Sequence, residues 1–268
     1  MSPAFRNLLV RTASGIVFLC ILLTALLTGK TAFCLIFSFI VAVMTTEYLN
    51  VSIGKKHKAG RAVTTVICTG GFILTFLYCG GIVGGEWFVL LPAACCLLPV
   101  CLLYEKDKAS YGSFIYLFIP ILYIALPFSI TNFIIFDNGT FDAGILLSIM
   151  IIIWSSDVGA YLCGMAFGQK NGHRLFPSIS PKKSWEGYIG GLVFALIAGY
   201  FVCGSLVLAL IINIASTFGD LAESQFKRNF EVKDAGKIMP GHGGLLDRFD
   251  GALIAFPVSA AYILLVGI

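Results

Sequence analysis

The sequence predicts an all-α, polytopic integral membrane protein of about nine transmembrane helices. Three observations carry this. Charged residues fill 12% of the 268 positions and hydrophobic ones 58%, with a mean hydropathy of +0.94. A soluble domain carries about 25% charged residues, so this chain lacks the polar groups to coat a water-facing surface. Apolar runs long enough to cross a hydrocarbon core about 30 Å thick recur along the whole chain. Basic residues collect in alternate connections between those runs.

Taken in order, the apolar runs place spans at 12–29, 31–53, 62–83, 87–104, 113–136, 143–166, 187–203, 205–222 and 251–268. The first follows Arg6 and Arg11 as a signal peptide would. No small-x-small cleavage site follows, and the next run begins at Thr31, so it reads as a retained span. Pro120 and Pro127 predict kinks in the fifth span. Residues 187–222 are one apolar stretch broken by Gly204, which admits two short spans or one long helix with a re-entrant piece. Lys55, Lys56, Lys58 and Arg61 follow span two, and Lys106 and Lys108 follow span four. Lys170, Arg174, Lys182 and Lys183 follow span six, and Lys227, Arg228, Lys233, Lys237 and Arg248 follow span eight. These make 15 of the 18 Lys and Arg. The positive-inside rule puts those connections in the cytoplasm. On this reading both chain ends lie outside, which leaves Arg6 and Arg11 on the wrong side. The sequon Asn138-Gly139-Thr140 falls in an outside loop and carries little weight. The nine cysteines sit mostly inside apolar runs without metal-ligand spacing, and read as small apolar helix residues. With no repeat or low-complexity segment, residues 1–268 read as a single integral membrane domain: a membrane scaffold over 1–150 and a catalytic half over 151–268. The net charge of +4 is modest, and no nucleic-acid partner is expected.

Polar residues inside the spans mark where chemistry can sit, because a carboxylate at that depth costs several kcal/mol unless it is paired. Glu47 in span two is either a structural pair or a substrate contact. Asp157 lies mid-span, one turn before Tyr161 on the same face. It calls for a cation, a metal or an interhelical hydrogen bond. In Ser180-Pro181-Lys182-Lys183-Ser184, Ser180 and Pro181 predict a fixed turn, and Ser184 can cap the next helix. With two lysines and a helix start, a phosphate cradle is plausible. Asp220, Glu223 and Lys227 fall at i, i+3 and i+7 on one helix face. Two carboxylates one turn apart suit magnesium, which favours oxygen ligands and keeps substrate phosphates in its shell. Lys227 and Arg228 can hold anionic phosphates. An intrahelical ion pair explains Glu223 with Lys227 but not Asp220. Gly236, Gly241, Gly243 and Gly244 free backbone amides to turn toward an anion, and Asp247 and Asp250 are again three residues apart. His242 between glycines reads equally as a loop hydrogen-bonder or a group with a chemical role.

The pattern Ser224-x-Phe226-Lys227-Arg228, Lys233-Asp234-x-Gly236, Pro240-x-His242-Gly243-Gly244-Leu245-x-Asp247-Arg248-Phe249-Asp250 resembles the signature of the phosphatidate cytidylyltransferases, or CDP-diacylglycerol synthases. Residues 178–187 and 219–224 resemble that family too, as does Asp157 with Ala160-Tyr161 and Phe167-Gly168. The matches are dense over 154–250, and the first 150 residues agree in character only. Met239 stands where the family pattern has Leu, Ile or Phe. The resemblance implies that phosphatidate and CTP give CDP-diacylglycerol and pyrophosphate with magnesium, the paired carboxylates suiting a second metal ion. It implies metal ligation by Asp220 and Asp247, with Glu223, Asp250 and Asp157 as further ligands or their supports. Lys182, Lys183, Lys227, Arg228, Lys233 and Arg248 would bind phosphates, with Ser180, Ser224, Asp234, Gly243 and Gly244 completing the substrate site and His242 contacting phosphate or orienting its loop. It further implies a homodimer in a bacterial plasma membrane with the site facing the cytoplasm. Two other classes share parts of the pattern. A CTP-dependent lipid kinase would release CDP, and a transporter would spread its charges over several midplane positions.

Overall fold

The computed structural model describes residues 3–104, 108–137, 139–168 and 172–267, so the sequon Asn138 and the loop residues Lys106 and Lys170 lie outside the described residues. Helices dominate. Their order is α1 (Pro3–Leu27), α2 (Lys30–Ile53), α3 (Lys58–Cys79), α4 (Leu90–Cys95), α5 (Leu97–Cys101), α6 (Leu126–Ile135), α7 (Gly144–Phe167), α8 (Trp185–Val202), α9 (Leu206–Asn229), α10 (Leu246–Phe249) and α11 (Ala252–Val266). Two short antiparallel hairpins join them: β1 (Phe136–Asp137) with β2 (Thr140–Phe141), and β3 (Arg174–Phe176) with β4 (Ser180–Ser184).

Among the described residues, eight helices are long and apolar enough to cross a membrane. They match eight of the nine expected spans. The fourth breaks into a 3-10 turn (Gly85–Val89), α4, α5 and a further 3-10 turn (Leu102–Tyr104). Pro92 and Pro99 explain this, since each removes a helical N–H and crowds the preceding turn. The Pro120 region is irregular as expected. A 3-10 segment (Lys108–Leu117) precedes a π-helical turn (Ile121–Ala125), which leads into α6. Residues 187–222 resolve as two helices. Gly204 takes φ +66, and the Ser205 hydroxyl accepts the Leu208 N–H at 3.2 Å to start α9.

Internal contacts divide the chain into two compact units. The first comprises Met1–Phe141 with Val232–Arg248. Its core is aromatic: Phe33 stacks on Phe37 with centroids 4.2 Å apart, and Phe72, Phe76 and Phe128 close around them. Asn132 Nδ2 donates to Thr75 Oγ1 (2.8 Å) and Phe72 O (3.2 Å). The expected position of the amino terminus fails here, and parity already excluded it: connections after even-numbered spans lie on the amino terminus's side, and nine spans put the two ends on opposite sides. Ser14, about midway along α1, and Glu47, toward the end of α2, both hydrogen-bond the Val232–Arg248 segment. A tight connection at Gly29 joins α1 and α2, so two crossings return the chain to the face it left. Arg11, which lies against Gly241, is therefore on the same face as the basic residues of the Val232–Arg248 segment.

The second unit comprises Asp142–Glu231 with Phe249–Ile268. Here α7 and α8 cross at backbone contact. A Cβ on Gly187 would lie 2.9 Å from Ala160 O, and one on Gly191 would lie 2.9 Å from Ser156 O. Glycine is what lets these two helices meet so closely. Helix α9 packs on α7, α8 and α11, with Asn213 Nδ2 donating to Ser156 Oγ at 2.7 Å.

Candidate active site

In the second unit, a cavity of about 570 Å³ opens between α7, β4, α8 and α9, lined by Asp157, Tyr161, Lys182, Lys183, Ser216 and Asp220 among others. Asp157 sits ten residues before the end of α7 and Asp220 nine before the end of α9. At 1.5 Å per residue, the cavity reaches roughly 15 Å into the spans from those helix ends.

Lys183 reaches its place because the β3–β4 hairpin leads straight into α8. The turn lies at residues 177–179, not at Ser180 and Pro181 as expected; both belong to β4. The register is irregular between its Arg174–Ser184 and Phe176–Ser180 pairings, which suits a proline that has no N–H to offer the ladder. Glu186 secures the hairpin, since its Oε1 accepts the His173 backbone N–H at 3.1 Å. Ser184 caps α8 as expected, accepting the Gly187 N–H at 3.2 Å.

The acidic face of α9 divides by partner. Asp220 pairs with Lys183 and accepts from the Ser224 hydroxyl at 3.3 Å. Glu223, fully buried, pairs with Lys227 one turn later, the intrahelical ion pair that stood as the alternative to a metal ligand and a phosphate contact. Asp250 lies within electrostatic reach of Asp220, Glu223 and Asp157, and one of its oxygens accepts the Gly251 N–H at 2.7 Å. Thus four of the five expected metal-site carboxylates gather in one unit, with Lys183 and Lys227 as their lysine partners. Arg228 is exposed at the end of the same helix. Among the described residues, no three His, Cys, Asp or Glu side chains converge into a ready-made metal cage.

The glycine-rich segment belongs to the first unit, where its donors are already engaged. Gly243, at φ +91, closes a tight turn by exchanging hydrogen bonds with Met239 at 3.0 and 3.2 Å. The N–H groups of Gly244 (2.8 Å) and Ala235 (2.9 Å) both donate to Asp247 Oδ2. The anion these amides turn toward is thus a side chain of the same loop. Arg248 Nη2 donates to His242 O at 2.9 Å, while Lys233 and Asp234 are exposed.

His242 stands 2.8 Å from Ser14 Oγ through Nδ1. The Ser14 hydroxyl also has Pro240 O within 3.0 Å. When its proton goes to that carbonyl, Nδ1 is the donor and Nε2 keeps the lone pair. Burial, with Arg248 and Arg11 adding positive potential, holds the imidazole below its ordinary pKa. Ser14 and Arg11 carried no signal in sequence, as they look like ordinary residues at a span entrance. Glu47 did carry one, a lone carboxylate in an apolar run, but its partner was not legible.

A many-spanning helical protein with carboxylates and lysines around an intramembrane cavity belongs among the membrane enzymes that handle charged lipid headgroups. More narrowly, the chain matches the Cytidylyltransferase family over residues 9–266 and belongs to that family. It is 31% identical to the phosphatidate cytidylyltransferase of Staphylococcus haemolyticus over 266 residues, covering 93% of this chain and 96% of that protein. It is 32% identical to the Staphylococcus aureus protein of that name, with the same coverage. A phosphatidate cytidylyltransferase of Haemophilus influenzae is 41% identical over 127 residues, 42% of this chain and 43% of that one.

Proposed function

We propose that this protein transfers the cytidylyl group of CTP to phosphatidate, giving CDP-diacylglycerol and pyrophosphate, with magnesium as cofactor. The observation that carries the reading is the cavity that Asp157, Asp220, Lys182 and Lys183 share within the membrane-spanning helices. The reading places the reaction at the cytoplasmic face of a bacterial plasma membrane and, following the family resemblance, in a homodimer.

The chemistry follows from charge. A phosphatidate oxygen attacks the α-phosphorus of CTP, an O–P bond forms, and the bond to the β-phosphate oxygen breaks to release pyrophosphate. The phosphate monoester is already ionised at neutral pH, so no strong base is needed. The barrier is the meeting of two anions, and positioning with electrostatic stabilisation lowers it. The donor set fits magnesium: Asp157, Asp220 and Asp250 offer hard carboxylate oxygens in excess of the nearby lysines. The ion commonly takes one or two carboxylates and fills its shell with waters and substrate phosphates, so it does not require a prebuilt three-ligand cage. When bound, it would supply neutralisation of the developing phosphate charge. Lys183, paired with Asp220, turns to a substrate phosphate, and Lys182 adds a second cation at the mouth. A lipid headgroup enters sideways between helices at this depth, while CTP arrives from the aqueous end.

The test uses purified protein in detergent with labelled CTP, phosphatidate and magnesium. The expected products are CDP-lipid and pyrophosphate, lost on chelation and restored by magnesium. Asp220→Asn and Asp157→Asn should each lower turnover by about 10²–10³-fold. CDP and a newly phosphorylated lipid would instead assign a kinase, and normal turnover in both variants would remove the cavity from the chemistry.

A further inference from the structure

A carboxylate far from the cavity in sequence bears directly on the loop that carries the family signature. Glu47 lies near the end of α2 and is 6% exposed. Its Oε2 accepts the Leu246 N–H at 2.8 Å. Two glycines press on it from the loop: a Cβ on Gly236 would fall 2.1 Å from Oε1, and one on Gly244 would fall 2.5 Å from Oε2. Gly244 also donates to Asp247 Oδ2, which accepts from Ala235 as well. The loop therefore folds around two acidic side chains, one of its own and one supplied by α2.

From this we infer that Glu47 is a positioning residue for the Val232–Arg248 loop and acts through Asp247 and Arg248, which follow its anchor directly. The inference rests on the proposed cytidylyl transfer only where it concerns turnover. The physical reason is the pairing of donors and acceptors. The buried Leu246 N–H has Glu47 Oε2 as its acceptor, and a charged acceptor makes the stronger bond. A buried N–H left unmatched is expensive, so the carboxyl group dictates where the chain turns into α10. Glycine at 236 and 244 is needed because any side chain there would displace that carboxylate. The residue requires no contact with substrate to matter, since misplacing reacting groups by about 1 Å lowers rates by up to about 10²-fold.

The experiment compares the full-length protein in detergent with Glu47→Gln and Gly236→Ala. Glutamine keeps the shape but removes the charge and one of the two acceptor oxygens. The alanine pushes on the carboxylate without altering its charge. Hydrogen–deuterium exchange of the 232–248 peptides should quicken at least about tenfold in both variants, with α3 and α8 peptides unchanged as evidence of an intact fold. Turnover per folded molecule should fall about tenfold to a hundredfold, and the double variant should lose less than the sum of the two, because both disturb one anchor. Unchanged exchange in the loop, or turnover per folded molecule within about twofold of wild type, overturns the inference. If the wild-type protein makes no CDP-lipid, the functional reading fails on its own account, and the exchange data still decide whether Glu47 holds the loop.

Discussion

Replacing Gly187 with alanine sets two effects of opposite sign against each other at the α7–α8 crossing. The new Cβ would lie 2.9 Å from Ala160 O and 3.4 Å from Gly164 Cα, both backbone atoms that cannot rotate away. To restore ordinary contact, the helices must part by about 0.5 Å. Overpacking of this kind costs about 1–3 kcal/mol, while alanine gains about 1 kcal/mol of helix propensity over glycine. The net expectation is a loss of up to about 2 kcal/mol, with the steric term winning. Function should suffer more than stability. Asp157 comes from α7, and Lys183 comes from the strand that runs into α8. Separating those helices pulls apart two groups that line one cavity. A shift of about half an ångström should lower turnover roughly tenfold, given that 1 Å can cost about 10²-fold. The assay pairs thermal unfolding in detergent with CDP-lipid formation at saturating CTP and phosphatidate. A raised unfolding temperature with unaltered turnover would show that propensity outweighs contact, and that the crossing does not set the geometry of the cavity.

Two further outcomes are expected. Lys183→Met removes the partner of Asp220, but both side chains are about one-third exposed. The stability change should therefore stay below about 1 kcal/mol, while kcat/KM falls about tenfold to a hundredfold because a phosphate loses its cation; comparable losses in both would make Lys183 merely structural. His242 has a folded-state pKa below its ordinary value, so its contribution to stability is fully present above about pH 6.5 and declines as pH falls through the lowered value. Thermal unfolding of wild type against His242→Gln, from about pH 8 down to pH 5, should show the wild type losing its advantage toward acid, and a constant difference would remove the charged neighbours from the explanation.

Fold class was legible because hydropathy is a bulk signal. Eight of the expected spans appear within a few residues of their places, and Ser184 caps α8 where its position before an apolar run indicated. The fourth span was not legible because hydropathy counts Pro92 and Pro99 as apolar, whereas the backbone counts the N–H groups they lack. The turn expected at Ser180 and Pro181 fell earlier, since strand pairing with Arg174–Phe176 outweighs the local turn preference of those two residues. In the site, helical periodicity correctly put Asp220, Glu223 and Lys227 on one face. It could not say that Lys183, 37 residues earlier, would claim Asp220. Glu47 and Leu246 are 199 residues apart, and no local pattern in either segment names the other.

The acidic residues of the signature look alike in sequence but differ in what they accept. Asp247 and Glu47 take backbone N–H groups, whose donors cannot leave without unfolding the loop. Asp220 takes a lysine ammonium, a partner on a flexible stem that can be exchanged for a phosphate without breaking any element of secondary structure. Exchangeability is what a site needs if its resting charge is to be neutralised before substrate arrives and redirected afterwards. The cavity acids and the loop acids thus have complementary physical requirements: mobile partners where charge must be rearranged, fixed backbone donors where geometry must persist through the reaction.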